Sequence, residues 1–168
     1  MELPDLFNET PFVKHLGIEV TEASDGYAEA RLPFSDELRS NKWGSVAHGG
    51  ATYALADTAG GAAVISLAED VSPTVDMRID YLAPATSDLR ASAEVIRFGS
   101  SLAMVQVDIH DEDGNRVATA QGTYKTSGQG ESTPWRSNDA HDPDDVDRPP
   151  EDAGGHPGAS GDPDDPGA

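Results

Sequence analysis

From His48 to Leu67 the chain reads His-Gly-Gly-Ala-Thr-Tyr-Ala-Leu-Ala-Asp-Thr-Ala-Gly-Gly-Ala-Ala-Val-Ile-Ser-Leu, with no proline. After the two glycines this predicts one long helix that is apolar nearly all round rather than along one stripe. Such a helix is buried, so the rest of the chain has to enclose it. One acid, Asp57, interrupts the apolar run two turns in. Steps of three and four from Asp57 reach Gly50, Tyr53, Gly61 and Val64, a face of mostly small neighbours. A carboxylate buried there without a partner is costly, and such groups mark sites. A carboxylate that reaches solvent or caps a nearby loop is the plain alternative, and spacing alone leaves both open.

The flanking segments predict strands. Residues 1 to 16 form a short amphipathic lead-in, with Leu6, Phe12, Val13 and Leu16 as apolar anchors. A strand opens near Leu16-Gly17-Ile18-Glu19-Val20. Asp25-Gly26 is a hairpin dipeptide, and after it Ala28, Ala30 and Leu32 alternate with Glu29 and Arg31. Pro33 to Ala47 reads as a loop. Beyond the helix, Glu69 to Pro73 turns the chain. Val75, Met77, Ile79 and Tyr81 then alternate with Asp76, Arg78 and Asp80. Two further alternating runs cover residues 89 to 98 and 102 to 110, and the last strand runs from Arg116 to Lys125. Two strands, one long helix and four strands in or near a meander predict an α+β domain, an antiparallel sheet with a single helix on one face.

Length allows one domain, or one domain and a tail. The domain is expected over 1–125. Residues 126–168 hold eleven acids, two arginines, much Pro, Gly and Ser, and Trp135 as their one large apolar side chain. Such a segment buries too little surface to offset its ordering entropy and reads as a disordered acidic tail. The net charge of −20, with three lysines beside eight arginines, fits a solvated surface adapted to salt. Nothing basic is arrayed to neutralise phosphates, so nucleic acid is not an expected partner. There is no cysteine, which excludes disulfides, thiolate catalysis and cysteine metal sites. No apolar run is long enough for a membrane span and no signal peptide is visible, so a cytoplasmic protein is expected.

Several stretches together resemble the PaaI-like branch of hotdog-fold acyl-CoA thioesterases (phenylacetic acid degradation and hydroxybenzoyl-CoA thioesterase-like). They are Leu16-Gly17-Ile18, Asn41, His48-Gly49-Gly50, Leu55-Ala56-Asp57-Thr58-Ala59, Val75-Asp76-Met77-Arg78-Ile79-Asp80-Tyr81-Leu82-Ala83-Pro84, and Gly114-Asn115-Arg116-Val117-Ala118 with Gly122-Thr123. The resemblance spans roughly residues 10 to 125, in order and spacing. It implies a hotdog fold, a curved antiparallel sheet wrapped around the central helix. It also implies at least a homodimer, often paired into a tetramer, with active sites at the subunit interface. Asp57 of one chain would then face the His48-Gly49 end of the other.

The expected reaction is hydrolysis of an acyl-CoA to a carboxylic acid and CoA, with CoA part of the substrate and no further cofactor. A helix N-terminus offers unpaired N–H groups and partial positive charge. The Gly49 N–H is the candidate for holding the carbonyl oxygen, and Gly49 and Gly50 let substrate approach the backbone. Asp57 is the candidate general base on water, or the nucleophile of a mixed anhydride. The resemblance puts Asn41 and His48 near the thioester and Thr74 beside Asp57, orienting water. Each has a plain alternative: loop hydrogen bonding for His48 and Asn41, and a β-branched strand residue for Thr74. Tyr53 and Tyr81 read as pocket wall or core. Arg78 and Arg97 are candidate contacts for CoA phosphates; Ser100 stands where some relatives have a basic residue. No role is assigned to His15, His110, His141 or His156. A non-catalytic acyl-CoA-binding protein and a hotdog hydratase or dehydratase are the rival functions.

Overall fold

A computed structural model describes residues 2–127. The tail expected over 126–168, with Trp135, His141 and His156, lies outside the described residues apart from its first two positions. Two short helices, α1 (Leu3–Asn8) and α2 (Pro11–Leu16), lead into β1 (Glu19–Ser24) and β2 (Tyr27–Leu32). Of the four expected anchors, Val13 is buried and Leu16 half-buried, but Leu6 and Phe12 face solvent. The reason is that Pro11 starts a second helix, so the lead-in has no single continuous face. Phe7 packs on the core instead. The Asn8 carboxamide fixes α1 to β1, donating to the Val20 carbonyl (3.0 Å) and accepting from its N–H (2.8 Å).

At the β1–β2 turn Asp25 and Gly26 have φ of 49° and 81°. Two successive positive φ values make the hairpin turn whose twist suits the flanking strands. A 3-10 turn, Asp36–Leu38, interrupts the loop that follows. Helix α3 runs from Gly49 to Ala68 and is ended by Glu69 in the left-handed region (φ 53°). Both glycines expected ahead of the helix form its first two residues. After it come β3 (Thr74–Tyr81), β4 (Leu89–Phe98), β5 (Leu102–His110) and β6 (Arg116–Lys125).

The six strands form one antiparallel sheet in the order β1-β2-β4-β5-β6-β3. β4, β5 and β6 are a meander, but β3 is not part of it. Instead β3 pairs with β6 at the far edge, and β4 takes the place beside β2. The burial pattern fits that exchange. The inward row of β4 (Leu89, Ala91, Ala93) lies opposite Leu32, Ala30 and Ala28 of β2, and all six are buried. β3 carries Asp76, Arg78 and Asp80, charges that suit an edge. Of its four expected inward residues, Met77 is buried and Ile79 half-buried, whereas Val75 and Tyr81 are exposed.

Helix α3 lies against the sheet, principally over β2, β4 and β5. Both surfaces are built from small side chains. Ala51, Ala54, Ala56, Ala59, Ala62, Ala63, Gly60 and Gly61 of the helix are buried, as are Ala28, Ala30, Ala91, Ala93, Ala103, Ala118 and Ala120 of the strands. Small residues let the helix backbone approach the sheet closely, at close-packed density. The far end of α3 is tied to the β1–β2 turn, because the Ser66 hydroxyl accepts the Gly26 N–H at 2.8 Å and donates to the Ala63 carbonyl at 2.7 Å.

Candidate active site

Two features of α3 hold the residues expected to carry chemistry: its first turn and the acid two turns further on. At the first turn, His48 is the N-cap, and its Nδ1 accepts the Gly50 N–H at 2.9 Å. In a neutral imidazole that leaves the proton on Nε2. A side chain at Gly50 would not permit this cap, since a Cβ there would sit 2.9 Å from Nδ1. The His48 backbone is held by its own N–H, which donates to the Leu38 carbonyl at 2.7 Å, and Ala47 N–H donates to the Ala85 carbonyl at 2.8 Å. With Gly50 N–H bound by the cap and Ala51 N–H by the His48 carbonyl, the Gly49 N–H has no acceptor among the described residues. It points out of the positive end of a twenty-residue helix.

The Gly49 carbonyl accepts the Tyr81 hydroxyl at 2.8 Å, and a Cβ on Gly49 would lie 3.1 Å from that ring. Although much of the Tyr81 ring is exposed, desolvation of its hydroxyl pushes the pKa up, which keeps it a donor. Beside Gly49 opens a cavity of about 430 Å³, largely apolar, whose walls include Val46, Ala47, Thr52, Tyr81, Leu82 and Val117.

Asp57 is half-buried. It is not an unpartnered buried charge, nor is it free in solvent. Thr74 Oγ1 donates to Asp57 Oδ1 at 2.8 Å, and Tyr124 Oη lies 3.1 Å from both Oδ1 and the Asp57 backbone carbonyl. No hydrogen bond reaches Oδ2 among the described residues. Tyr53, one turn earlier, donates to the Met77 carbonyl at 3.3 Å. Its hydroxyl pKa is raised by burial and then by the negative charge of Asp57 and Asp76.

Asp57 stands eight positions after Gly49 along the helix, about 12 Å along the axis at ~1.5 Å per residue. One chain therefore does not bring its own Gly49 N–H and its own Asp57 to one carbonyl group, and Asp57 is not part of the wall of the cavity beside Gly49.

The other predicted site residues lie apart. Asn41 serves its own loop, its carboxamide oxygen accepting the N–H groups of Trp43 (3.0 Å) and Gly44 (2.7 Å). Arg97 and Ser100 line a common cavity of about 440 Å³ with Gly99, Leu102, Met104 and Thr123. Arg78 is not with them: it pairs with Asp80 at 2.9 Å in a different depression, beside Gln106 and Thr119. Among the described residues no group of three His, Asp or Glu could hold a metal ion, and no helix is long and apolar enough to cross a membrane.

Tyr124 escaped the sequence reading. The signal was nevertheless present. Along the inward row of β6, Ala118, Ala120 and Gly122 precede it, so one large phenol follows three small residues. A buried tyrosine hydroxyl finds a partner, and the acid of the facing helix was the obvious one. Gly60 and Gly122 complete the slot: a Cβ on Gly60 would lie 2.5 Å from Tyr124 Oη, and one on Gly122 would lie 2.8 Å from its ring. Glycine inside a helix costs about 1 kcal/mol relative to alanine, so Gly60 gives up helix stability to seat that hydroxyl.

Known proteins share this arrangement of helix and sheet. The thioesterase superfamily matches residues 44–118, from the loop ahead of α3 into β6. An esterase-named protein of Halobacterium salinarum is 36% identical over 122 residues, covering 66% of this chain and 80% of its own. The medium/long-chain acyl-CoA thioesterase YigI of Salmonella typhimurium is 27% identical over 130 residues, covering 68% and 84%. Among solved structures, a variant of the phenylacetic acid degradation protein PaaI from Thermus thermophilus superposes with a TM-score of 0.63 at 27% identity, covering 69% of this chain and 98% of that one.

Proposed function

The chain belongs to the thioesterase superfamily, and from that premise we propose that it is an acyl-CoA thioesterase of the PaaI-like branch, acting as a homodimer or a tetramer built from dimers. The observation that carries the reading is the division of labour along α3. An unpaired N–H heads the helix, and a hydroxyl-tethered carboxylate with one free oxygen sits two turns on. Two antiparallel copies meeting at their helices would supply one of each to a single thioester.

In this reading the thioester carbonyl oxygen accepts the Gly49 N–H of one subunit. Asp57 of the other removes a proton from water as the water oxygen attacks the carbonyl carbon. The tetrahedral oxyanion is held by the Gly49 N–H and the helix dipole. The C–S bond then breaks, and the proton held by Asp57 passes to the leaving CoA sulfur. Asp57 attacking directly, through a mixed anhydride that water hydrolyses, uses the same atoms. The cavity beside Gly49 receives the acyl or pantetheine arm, and the cleft of Arg97 and Ser100 is a candidate seat for CoA phosphates. Arg78, already paired with Asp80, is the weaker candidate. His48 and Gly50 serve the site by fixing the helix end. No cofactor enters.

The test is thiol release from a panel of aryl- and alkanoyl-CoA esters, comparing wild type with Asp57→Ala. Turnover that falls at least about 100-fold in a folded variant supports the reading. Binding of acyl-CoA without any turnover would favour a non-catalytic acyl-CoA-binding protein. A hydrated or dehydrated acyl-CoA in place of free thiol would favour the hydratase class.

A further inference from the structure

We infer that Tyr124 is a positioning residue for Asp57: together with Thr74 it anchors Oδ1, so that Oδ2 is the oxygen presented for proton removal or attack. The inference rests on the reading of Asp57 as the working acid, and it adds a residue that neither the motifs nor the family resemblance assigns.

The geometry around the carboxylate is asymmetric. Two hydroxyls converge on Oδ1, from Thr74 at 2.8 Å and from Tyr124 at 3.1 Å, while Oδ2 accepts from no described residue. The two donors come from adjacent strands, since β3 and β6 are paired and Thr74 lies opposite Tyr124. Asp57 projects from the helix above that pair, so three elements define its orientation. A carboxylate free to rotate about its terminal torsion would exchange its two oxygens, because that torsion is broad and roughly two-fold. Two donors on one oxygen remove the degeneracy. Tyr124 is suited to the task because only 1% of it is exposed, and its ring is locked between Gly60 and Gly122. Its phenol stays protonated, with the pKa driven far above the ordinary tyrosine value by burial first and by the Asp57 charge second.

A purely structural account is that Tyr124 fills core space and its hydroxyl satisfies the Asp57 backbone carbonyl, also 3.1 Å away. The two accounts separate in kinetics. Tyr124→Phe keeps the ring and removes the hydroxyl. With Oδ1 half-released, kcat falls about 10- to 100-fold while KM changes less than about threefold, the signature of lost orientation rather than lost binding. Gly60→Ala places a methyl where the hydroxyl sits and produces the same loss of kcat. In the double variant the hydroxyl is already gone, so Gly60→Ala adds little to the kcat loss of Tyr124→Phe. That non-additivity is expected only if both act through the same oxygen.

The assay is steady-state thiol release with the best CoA ester, alongside thermal melting. Reduced kcat at near-constant KM in Tyr124→Phe, with a melting temperature within a few degrees of wild type, supports the inference. An unchanged kcat with a lowered melting temperature overturns it and leaves a core tyrosine. If Gly60→Ala does not fold, Tyr124→Phe alone decides. Asp57→Ala separates the layers. If it abolishes turnover while Tyr124→Phe is fully active, only the positioning role fails; if it leaves turnover intact, the reading of Asp57 fails and the positioning role falls with it.

Discussion

His48 heads the motif that marks this chain, and the structure gives it a definite task that can be measured. Its Nδ1 caps α3 through the Gly50 N–H at 2.9 Å, and the same bond leaves Gly49 N–H as the free donor at the helix end. Replacing His48 by Ala removes the acceptor. Losing an N-cap side chain costs about 1 kcal/mol, which for a domain of this size lowers the melting temperature by about 3–5 °C. Asparagine accepts the same kind of bond and is among the best N-cap residues, so His48→Asn should melt close to wild type. Activity should follow the cap. A frayed first turn still carries the Gly49 N–H but no longer aims it. Complete loss of such a donor costs about 100- to 1000-fold, so a loosened one is expected to lower kcat/KM by about tenfold in His48→Ala. His48→Asn should recover to within about threefold of wild type. Protein concentration is held fixed across the series, because association contributes to melting. A His48→Asn protein that melts like wild type yet loses more than about 100-fold in kcat/KM would refute capping as the contribution of His48 to activity and move the imidazole itself, through Nε2, to the substrate.

Other consequences are equally direct. CoA is a polyanion approaching a chain of net charge −20; with the Debye length falling from about 10 Å at 0.1 M salt to about 3 Å at 1 M, kcat/KM should rise over that range, and a fold-intact enzyme fastest at low salt would contradict the charge argument. Glu29 accepts the Tyr27 hydroxyl at 2.7 Å and with burial pushes its pKa up to about 12. A raised folded-state pKa gives stability that is full below about pH 10, the unfolded value, and lost as pH climbs toward about 12; urea melts of Tyr27→Phe should show a shallower decline across that window, and an identical decline would show the pair to be energetically silent. Gly26 has a φ of 81°, and a Cβ there would lie only 2.9 Å from Leu67 Cδ1. Gly26→Ala should therefore lose about 1–2 kcal/mol in urea unfolding, and full stability would mean the hairpin can change its turn. After single turnover in heavy-oxygen water, a label on the Asp57 carboxylate, read by mass spectrometry of the peptide, would identify it as a nucleophile whose anhydride water opens at Cγ, whereas a general base, or an anhydride opened at the acyl carbon, leaves Asp57 unlabelled.

Local chemistry by itself determined most of the elements. The Asp25-Gly26 turn, the alternation in β2, β3, β4 and β5, the proline-free helix and the position of His48-Gly49-Gly50 at its head are all short-range properties, set by which dihedrals a residue tolerates and which face a side chain takes. Asp57 was legible for the same reason, as an acid inside an alanine-rich helix. Periodicity says which face a residue occupies but not which strand lies alongside it, and there the tertiary structure decided. It sent β3 past β4 to pair with β6, which left Val75 and Tyr81 exposed and brought Thr74 opposite Tyr124. The site around Asp57 follows from that pairing. Thr74 and Tyr124 stand 17 and 67 residues along the chain from the acid they hold, and no local pattern encodes contacts at such range. The slot for the Tyr124 hydroxyl likewise exists only where a helix glycine and a strand glycine face one ring. Sequence placed the acid, and packing chose the two hydroxyls that hold it.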